Sequence, residues 1–202
     1  MARTVDPERT RARRDAISSA AADLFATKGF DHTTAAEIAR AAGLSSGSVF
    51  YYFADKRAVF RSIFEADLPA SREMVARHAE GTDPLGSILA MVDELGGPAQ
   101  DPSASGILIE LLRQIDHDVQ LQIVIAQTTE VIRGGLVALV ERGQASGVLD
   151  PELDPTEAAA WIQNIVDGAF LSADPERDPR PMLRRIVARF LSTPPSTQGG
   201  NS

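Results

Sequence analysis

Between Ser45 and Lys56 the chain reads Ser-Ser-Gly-Ser-Val-Phe-Tyr-Tyr-Phe-Ala-Asp-Lys. This is a run of hydroxyls, phenols and small residues closed by an ammonium, with no paired carboxylates, no histidine and no thiol. Such a set donates hydrogen bonds and carries out no bond-breaking chemistry. Ser45, Ser46, Gly47 and Ser48 are small enough for a backbone to approach DNA closely, and their hydroxyl and N–H groups can donate to phosphate oxygens. Tyr51 and Tyr52 offer a phenolic donor to phosphate or an aromatic face to a thymine methyl. Lys56 places a positive charge at the start of the following helix. A serine-glycine run on its own is more often a plain loop, so the elements around it have to decide.

Those elements can be read from local chemistry. Thr34-Ala35-Ala36-Glu37 is a capping box, in which the threonine hydroxyl accepts from the N–H of residue 37 and the carboxylate reaches back to residue 34. Ile38, Ala39 and Ala42 recur at helical spacing, and Gly43 follows where a left-handed stop suits glycine. Ser45 reads as the N-cap of a second helix whose Val49 and Phe53 face inward. Two helices joined by a short glycine-bearing turn form a helix-turn-helix, whose second helix presents its N-terminal residues to base edges in the major groove. Upstream, Asp6-Pro7 starts a helix expected to run to Lys28, with Ile17, Ala20, Ala21, Leu24 and Phe25 on its buried face. Arg9, Arg11, Arg13 and Arg14 lie at its beginning, and Arg14 is the expected phosphate contact among them.

The stretch from Gly29 to Lys56 resembles the DNA-binding segment of the TetR family of bacterial transcriptional regulators. The resemblance is carried by Gly29, Phe30, Thr33, Thr34, Ile38, Ala39, Ala42, Gly43, Leu44, Ser45, Gly47, Phe50, Tyr52, Phe53 and Lys56. It adds Thr33 and Thr34 to the expected DNA-contacting residues. Phe50 stands where the family usually has a tyrosine, and Tyr51 can carry the missing phenolic contact. Ser46 stands where a basic residue is common. The helical patterning reads as an all-α fold, with a reading head at residues 1–54 and, as the resemblance implies, a ligand-binding and dimerisation body at 55–192; the terminal stretch 193–202 is expected to be disordered.

Charge separates along the same line. The net charge is −8, yet residues 1–60 sum to +2 and residues 61–202 to −10. A weakly basic head on an acidic body needs multipoint contact to hold DNA, which two heads on one symmetry axis supply. The absence of cysteine excludes disulfides and thiolate metal sites and is compatible with a reducing cytoplasm. No run of ~18 consecutive apolar residues is present, so no membrane partner is expected.

Beyond the head, helices are expected from Lys56 to about Pro69 and near 84–96, 103–115, 118–145, 155–173 and 179–192. Seven of the twelve prolines follow aspartate, a pair that starts helices or turns. No segment alternates as a strand does. Ala158, Trp161, Ile162, Ile165, Val166, Ala169 and Phe170 cover about half a helix circumference at ~100° per residue, wider than one core contact needs. With the stripe Met182, Ile186, Val187, Phe190 and Leu191 they suggest a homodimer interface, for which Ile162, Val166, Ala169, Ile186, Val187 and Phe190 are the expected contacts. The resemblance implies that the last two helices of each subunit pair, and that an effector pocket lies within residues 84–171. His117, Thr128, Trp161 and Phe170 are its candidate lining residues.

These readings describe a regulator, most simply a repressor, that binds a palindromic double-stranded DNA operator as a dimer and is released by a small molecule. Half-sites one turn apart (roughly 34–36 Å) or a multiple of it would match the two-fold axis. The alternatives are a DNA-binding regulator controlled by a protein partner and, remotely, an all-α enzyme. His32, His78 and His117 are scattered, and no zinc-protease, Walker, Rossmann or nucleophile-elbow pattern occurs, so neither catalysis nor a cofactor or metal is expected.

Overall fold

The computed structural model describes residues 6–45, 47–172 and 174–193; Ser46 and the tail beyond Thr193 lie outside the described residues. Among those described, the chain is helical throughout, with no strand. Ten helices follow in order: α1 (Pro7–Lys28), α2 (Ala35–Ala41), α3 (Val49–Tyr52), α4 (Lys56–Glu65), α5 (Asp67–Ala79), α6 (Pro84–Gly96), α7 (Ala104–Gln114), α8 (Val119–Ala145), α9 (Pro155–Leu171) and α10 (Arg180–Phe190).

Aspartate sets five of the ten helix starts. Asp6, Asp83 and Asp154 each precede a proline at the first helical position and accept from backbone N–H groups two or three residues ahead. Asp55 and Asp118 do the same for α4 and α8 without proline. The remaining Asp-Pro pairs at 101, 150, 174 and 178 make turns in which the carboxylate accepts from the residue two ahead. The helix expected from Lys56 to Pro69 is divided at Ala66. Proline has no N–H to return to the carbonyl of Glu65, so α4 stops there and Pro69 sits in the first turn of α5.

Two apolar cores result. The first joins Ile17, Ala21 and Phe25 of α1 with Ile38, Val49 and Phe53, and with Val59, Phe60 and Phe64 of α4. It also takes in Leu121 of α8, so the head and the body share a seam. At that seam Gly106 lies so close to α1 that a Cβ would stand 2.3 Å from the carbonyl oxygen of Ala26. Arg61 of α4 donates to the Asp118 carboxylate at 2.7 Å, tying α4 to the start of α8. Burial opposes ionisation of Asp118, but the Arg61 bond and the helix-capping bonds outweigh it and hold its carboxyl below the usual range.

The second core lies between α5, α6, α8, α9 and α10 around Met91, Leu136, Leu139, Ile162 and Val187. Of the Gly134-Gly135 pair, Gly135 permits close packing, since a Cβ there would meet Val75 of α5 at 2.7 Å. By length and composition α8 could cross a membrane. Here Leu121 joins the first core while Ile132, Leu136, Leu139 and Val140 build the second.

Candidate nucleic-acid interface and ligand cleft

The head is a frame of satisfied polar groups around one exposed tip. The capping box of α2 is complete: the Glu37 N–H donates to Thr34 Oγ1 at 3.3 Å, and the Thr34 N–H donates to Glu37 Oε2 at 2.9 Å. Lys28 from the end of α1 bonds the same carboxylate. The Lys28 bond, followed by those from Thr34, lowers the Glu37 carboxyl to about 2. Helix α2 ends as expected. Gly43 is at φ +67°, and its N–H and that of Leu44 donate to the carbonyls of Arg40 and Ala39, a pattern that closes the orphan carbonyls of the last turn.

Several residues expected at the DNA build this frame instead. Thr33 is 1% exposed, and its hydroxyl donates to the carbonyls of Gly29 (2.8 Å) and Leu24 (3.3 Å). Its side chain therefore cannot reach DNA. Lys56 Nζ donates to the carbonyls of Phe30 (2.6 Å) and Thr33 (3.0 Å) and lies 4.3 Å from the Phe30 ring centroid. Its charge fixes the turn between α1 and α2. Arg14 donates to the Tyr52 carbonyl at 2.5 Å and stacks on Phe53 with its guanidinium carbon 4.1 Å from the ring centroid, securing the C-terminal end of α3. The Thr34 hydroxyl is engaged in its cap.

The tip is the single helical turn Val49–Tyr52. It is shorter than the sequence suggested and begins after Ser48, so Ser45 is not its N-cap. The Ser45 and Ser48 hydroxyls instead bond each other at 2.7 Å, and the Ser48 N–H donates to the Ser45 carbonyl. Val49 and Phe53 point inward and are buried. Tyr51 is 72% exposed, and Phe50 beside it is also exposed. Tyr52 is half-buried, its ring perpendicular to that of Tyr51 with centroids 5.0 Å apart. One turn of helix thus projects an outward-facing phenol and ring flanked by two seryl hydroxyls and Gly47. The outward turn of Phe50 was hidden in the sequence, where aromatic residues read equally as core.

In the body, a cleft of about 460 Å³ opens between α5, α6, α8 and α9. Buried Met74, Ile132 and Val166 contribute to its floor, and Phe170 to its wall. Thr128 also lines it, with its hydroxyl donating to the Val124 carbonyl of its own helix at 3.1 Å. Asp67 and Asp167 also line it, both exposed at the protein surface. Desolvation by the surrounding protein raises both carboxyls, Asp67 to about 6.

Comparison with known proteins decides the family. Residues 17–63 match the family described as "Bacterial regulatory proteins, tetR family", and residues 85–194, more than half of the chain, match "BetI-type transcriptional repressor, C-terminal". The chain belongs to the TetR family. Among curated relatives, the uncharacterized HTH-type transcriptional regulator YfiR of Bacillus subtilis is 25% identical over 175 residues, 86% of this chain and 85% of that protein. Among solved structures, the fatty acid degradation regulator FadR from Bacillus halodurans aligns with a TM-score of 0.74 at 22% identity, covering 92% of this chain and 97% of that one. FadR from Bacillus subtilis, solved in complex with stearoyl-CoA, aligns with a TM-score of 0.70 at 19% identity, covering 86% and 97%. This TetR-family transcriptional regulator therefore carries the DNA-binding helix-turn-helix of its family in the head just described.

The remaining expected residues separate by position. Thr128 and Phe170 line the cleft, whereas Trp161 and His117 do not. Trp161 is 52% exposed on another face of α9, and His117 lines a polar crevice between the head and α7, with His32 and Arg57. The interface set also divides. Ile162, Val166 and Val187 are buried within the protomer's own core and cannot meet a second subunit. Ala169 and Phe190 are partly buried against the same core, and Ile186 is exposed. The apolar surface left open on α9 and α10 comprises Trp161, Leu171, Met182 and Ile186.

Proposed function

We propose that this TetR-family regulator is a ligand-responsive repressor that binds a two-fold symmetric operator as a homodimer and leaves it when a small molecule occupies the cleft between α5, α6, α8 and α9. The observation that carries the reading is the tip of α3. A helix turn with an exposed phenol, held from behind by Arg14 and from below by Val49 and Phe53, is a rigid projection with no internal task. Rigid presentation of a few side chains is what groove recognition needs.

In this reading Tyr51, Ser45, Ser48, the Gly47 backbone and the half-buried Tyr52 face DNA. Thr34, Arg14 and Lys56 act by holding the tip. Residues 1–54 are the reading head and 55–192 the regulatory body, with α4 linking them. The open apolar surface on α9 and α10 supports pairing with a second copy through two helices from each subunit, since exposed aromatic and aliphatic residues on adjacent helices favour association. The FadR neighbour bound to stearoyl-CoA supports a small-molecule role for the body. In this reading the protein acts in the cytoplasm, where its DNA target lies.

Effector release requires that the ligand favour one of two conformers, and its leverage equals its differential affinity for them. The seam through Arg61, Asp118 and Gly106 is the path from cleft to head. Enrichment of a two-fold symmetric duplex from random DNA by the purified protein, with release of that duplex by a compound that binds the cleft, is the expected result. Absence of any preferred duplex would overturn the reading.

A further inference from the structure

We infer that the effector of this regulator is an organic ammonium: a protonated primary or secondary amine carried on an apolar body. The inference rests on the reading of the α5–α9 cleft as the effector site and adds the ligand's charge and shape.

Three features of the cleft point the same way. First, its surface is apolar below and acidic around the opening. Met74, Ile132, Val166 and Phe170 provide the apolar part, whereas Asp67, Glu73, Glu94 and Asp167 supply four carboxylates. Second, the cleft offers no uncommitted cation among the described residues. Arg77 lines it but bonds the Glu94 carboxylate, which also takes His78 Nε2 at 2.8 Å. Third, Ser71 of α5 is only 6% exposed, lines the cleft, and its hydroxyl has no hydrogen-bond partner among the described residues. Its oxygen is open to the cleft and not sealed in the core, which leaves it available to a ligand donor.

The neighbouring polar groups do not fill these vacancies. The Gln163 amide donates to the Thr129 carbonyl at 3.2 Å and accepts from Arg133 at 3.1 Å. Asp67 and Asp167 make no hydrogen bond or ion pair among the described residues, and both are exposed at the cleft. A ligand N–H donor can pair with either carboxylate and with the Ser71 oxygen, a match no carboxylate or phosphate ligand can make. The apolar floor takes a hydrocarbon or aromatic body, and the Phe170 ring can face the cation. An anionic ligand would have to enter against the carboxylates of Asp67, Glu73 and Asp167, with the one lining arginine already paired to Glu94.

The test uses the full-length protein and three compounds of nearly equal shape: 4-phenylbutylamine, 4-phenylbutanol and 4-phenylbutanoate. Isothermal titration is expected to show the amine binding at least ~tenfold more tightly than the alcohol, with the carboxylate weakest. Asp67→Asn and Asp167→Asn should each weaken the amine by about tenfold and leave the alcohol unchanged, because each removes one attractive charge at constant shape. Ser71→Ala should weaken the amine by a few-fold. Thermal melts confirm that each variant is folded. Equal binding of amine and alcohol, tighter binding of the carboxylate, no amine binding, or amine affinity unchanged by both Asn variants would each overturn the ammonium assignment. Ala70→Trp separates this outcome from the broader reading, since it fills the cleft without a ligand. If Ala70→Trp alters affinity for the selected duplex while the amine does not bind, the cleft stands as the effector site and the ammonium fails. If neither acts, both fall.

Discussion

The head and the body treat their polar groups in opposite ways. In the head, Thr33, Thr34, Glu37, Arg14 and Lys56 all have partners within the protein, and the main outward projection is one turn of α3. In the body cleft, Asp67, Asp167 and Ser71 lack partners among the described residues and face open space. Satisfied networks make a rigid element of defined shape, and unsatisfied groups over an apolar floor make a receptor. In the proposed function these are two tasks: the head presents the same surface every time, and the body changes its balance of conformers when an effector arrives.

The largest expected effect comes from breaking the head's interior. Val49→Asp places an unpaired charge where the wild-type side chain is fully buried, and should destabilise the protein by about 3 kcal/mol or more, read by chemical denaturation. Next is Lys56→Met, which keeps much of the stem but removes the ammonium bonds to the Phe30 and Thr33 carbonyls of the α1–α2 turn, the first of which keeps the Thr33 N–H. A loss of ~2 kcal/mol is expected, with weaker DNA binding because the tip is no longer held. Tyr51→Ala should do the reverse: the melting temperature should stay close to wild type while affinity for the selected duplex falls by about 1–3 kcal/mol. Unfolding of that variant would show that Tyr51 supports the core and does not read DNA.

The smallest effects sharpen the contrast through pH. The Glu37 carboxyl is lowered to about 2 from 4.5, so its contribution to folding is present above pH 4.5 and fades as pH falls toward 2. Asp67 is raised to about 6 from 3.8, so the folded state is relatively favoured below pH 3.8 and loses that advantage as pH rises through 6. Glu37→Gln and Asp67→Asn should each flatten its own part of the stability–pH curve, in opposite directions. Curves that shift the same way for both variants would contradict the division between a satisfied head and an unsatisfied cleft.

Much of this was legible from local sequence. The capping box at Thr34, the glycine stop at Gly43 and the helix starts at Asp6, Asp83 and Asp154 depend on neighbours within a few residues, and each formed as its spacing implies. What stayed hidden depends on distant chain. Thr33 is buried because its hydroxyl finds the end of α1, and Lys56 is engaged because the α1–α2 turn folds over it. Along α9, an apolar stripe more than one face wide contains both Ile162, which meets the protomer's own core, and Trp161, which does not. Periodicity shows that such a stripe is apolar and cannot say which of its residues the protomer itself covers. His117 lies on the line of Thr128 in sequence, but the start of α8 belongs to the seam with the head, so the two residues serve different cavities.

The central claim is that the tip of α3 reads a symmetric DNA site. The most direct measurement is selection of random duplexes by the purified protein, with wild type and Tyr51→Ala run in parallel. The claim predicts a two-fold symmetric consensus for wild type and its loss or strong weakening for the variant at unchanged stability. A wild-type protein that enriches no sequence, or a Tyr51→Ala variant that enriches the same one equally well, would contradict it.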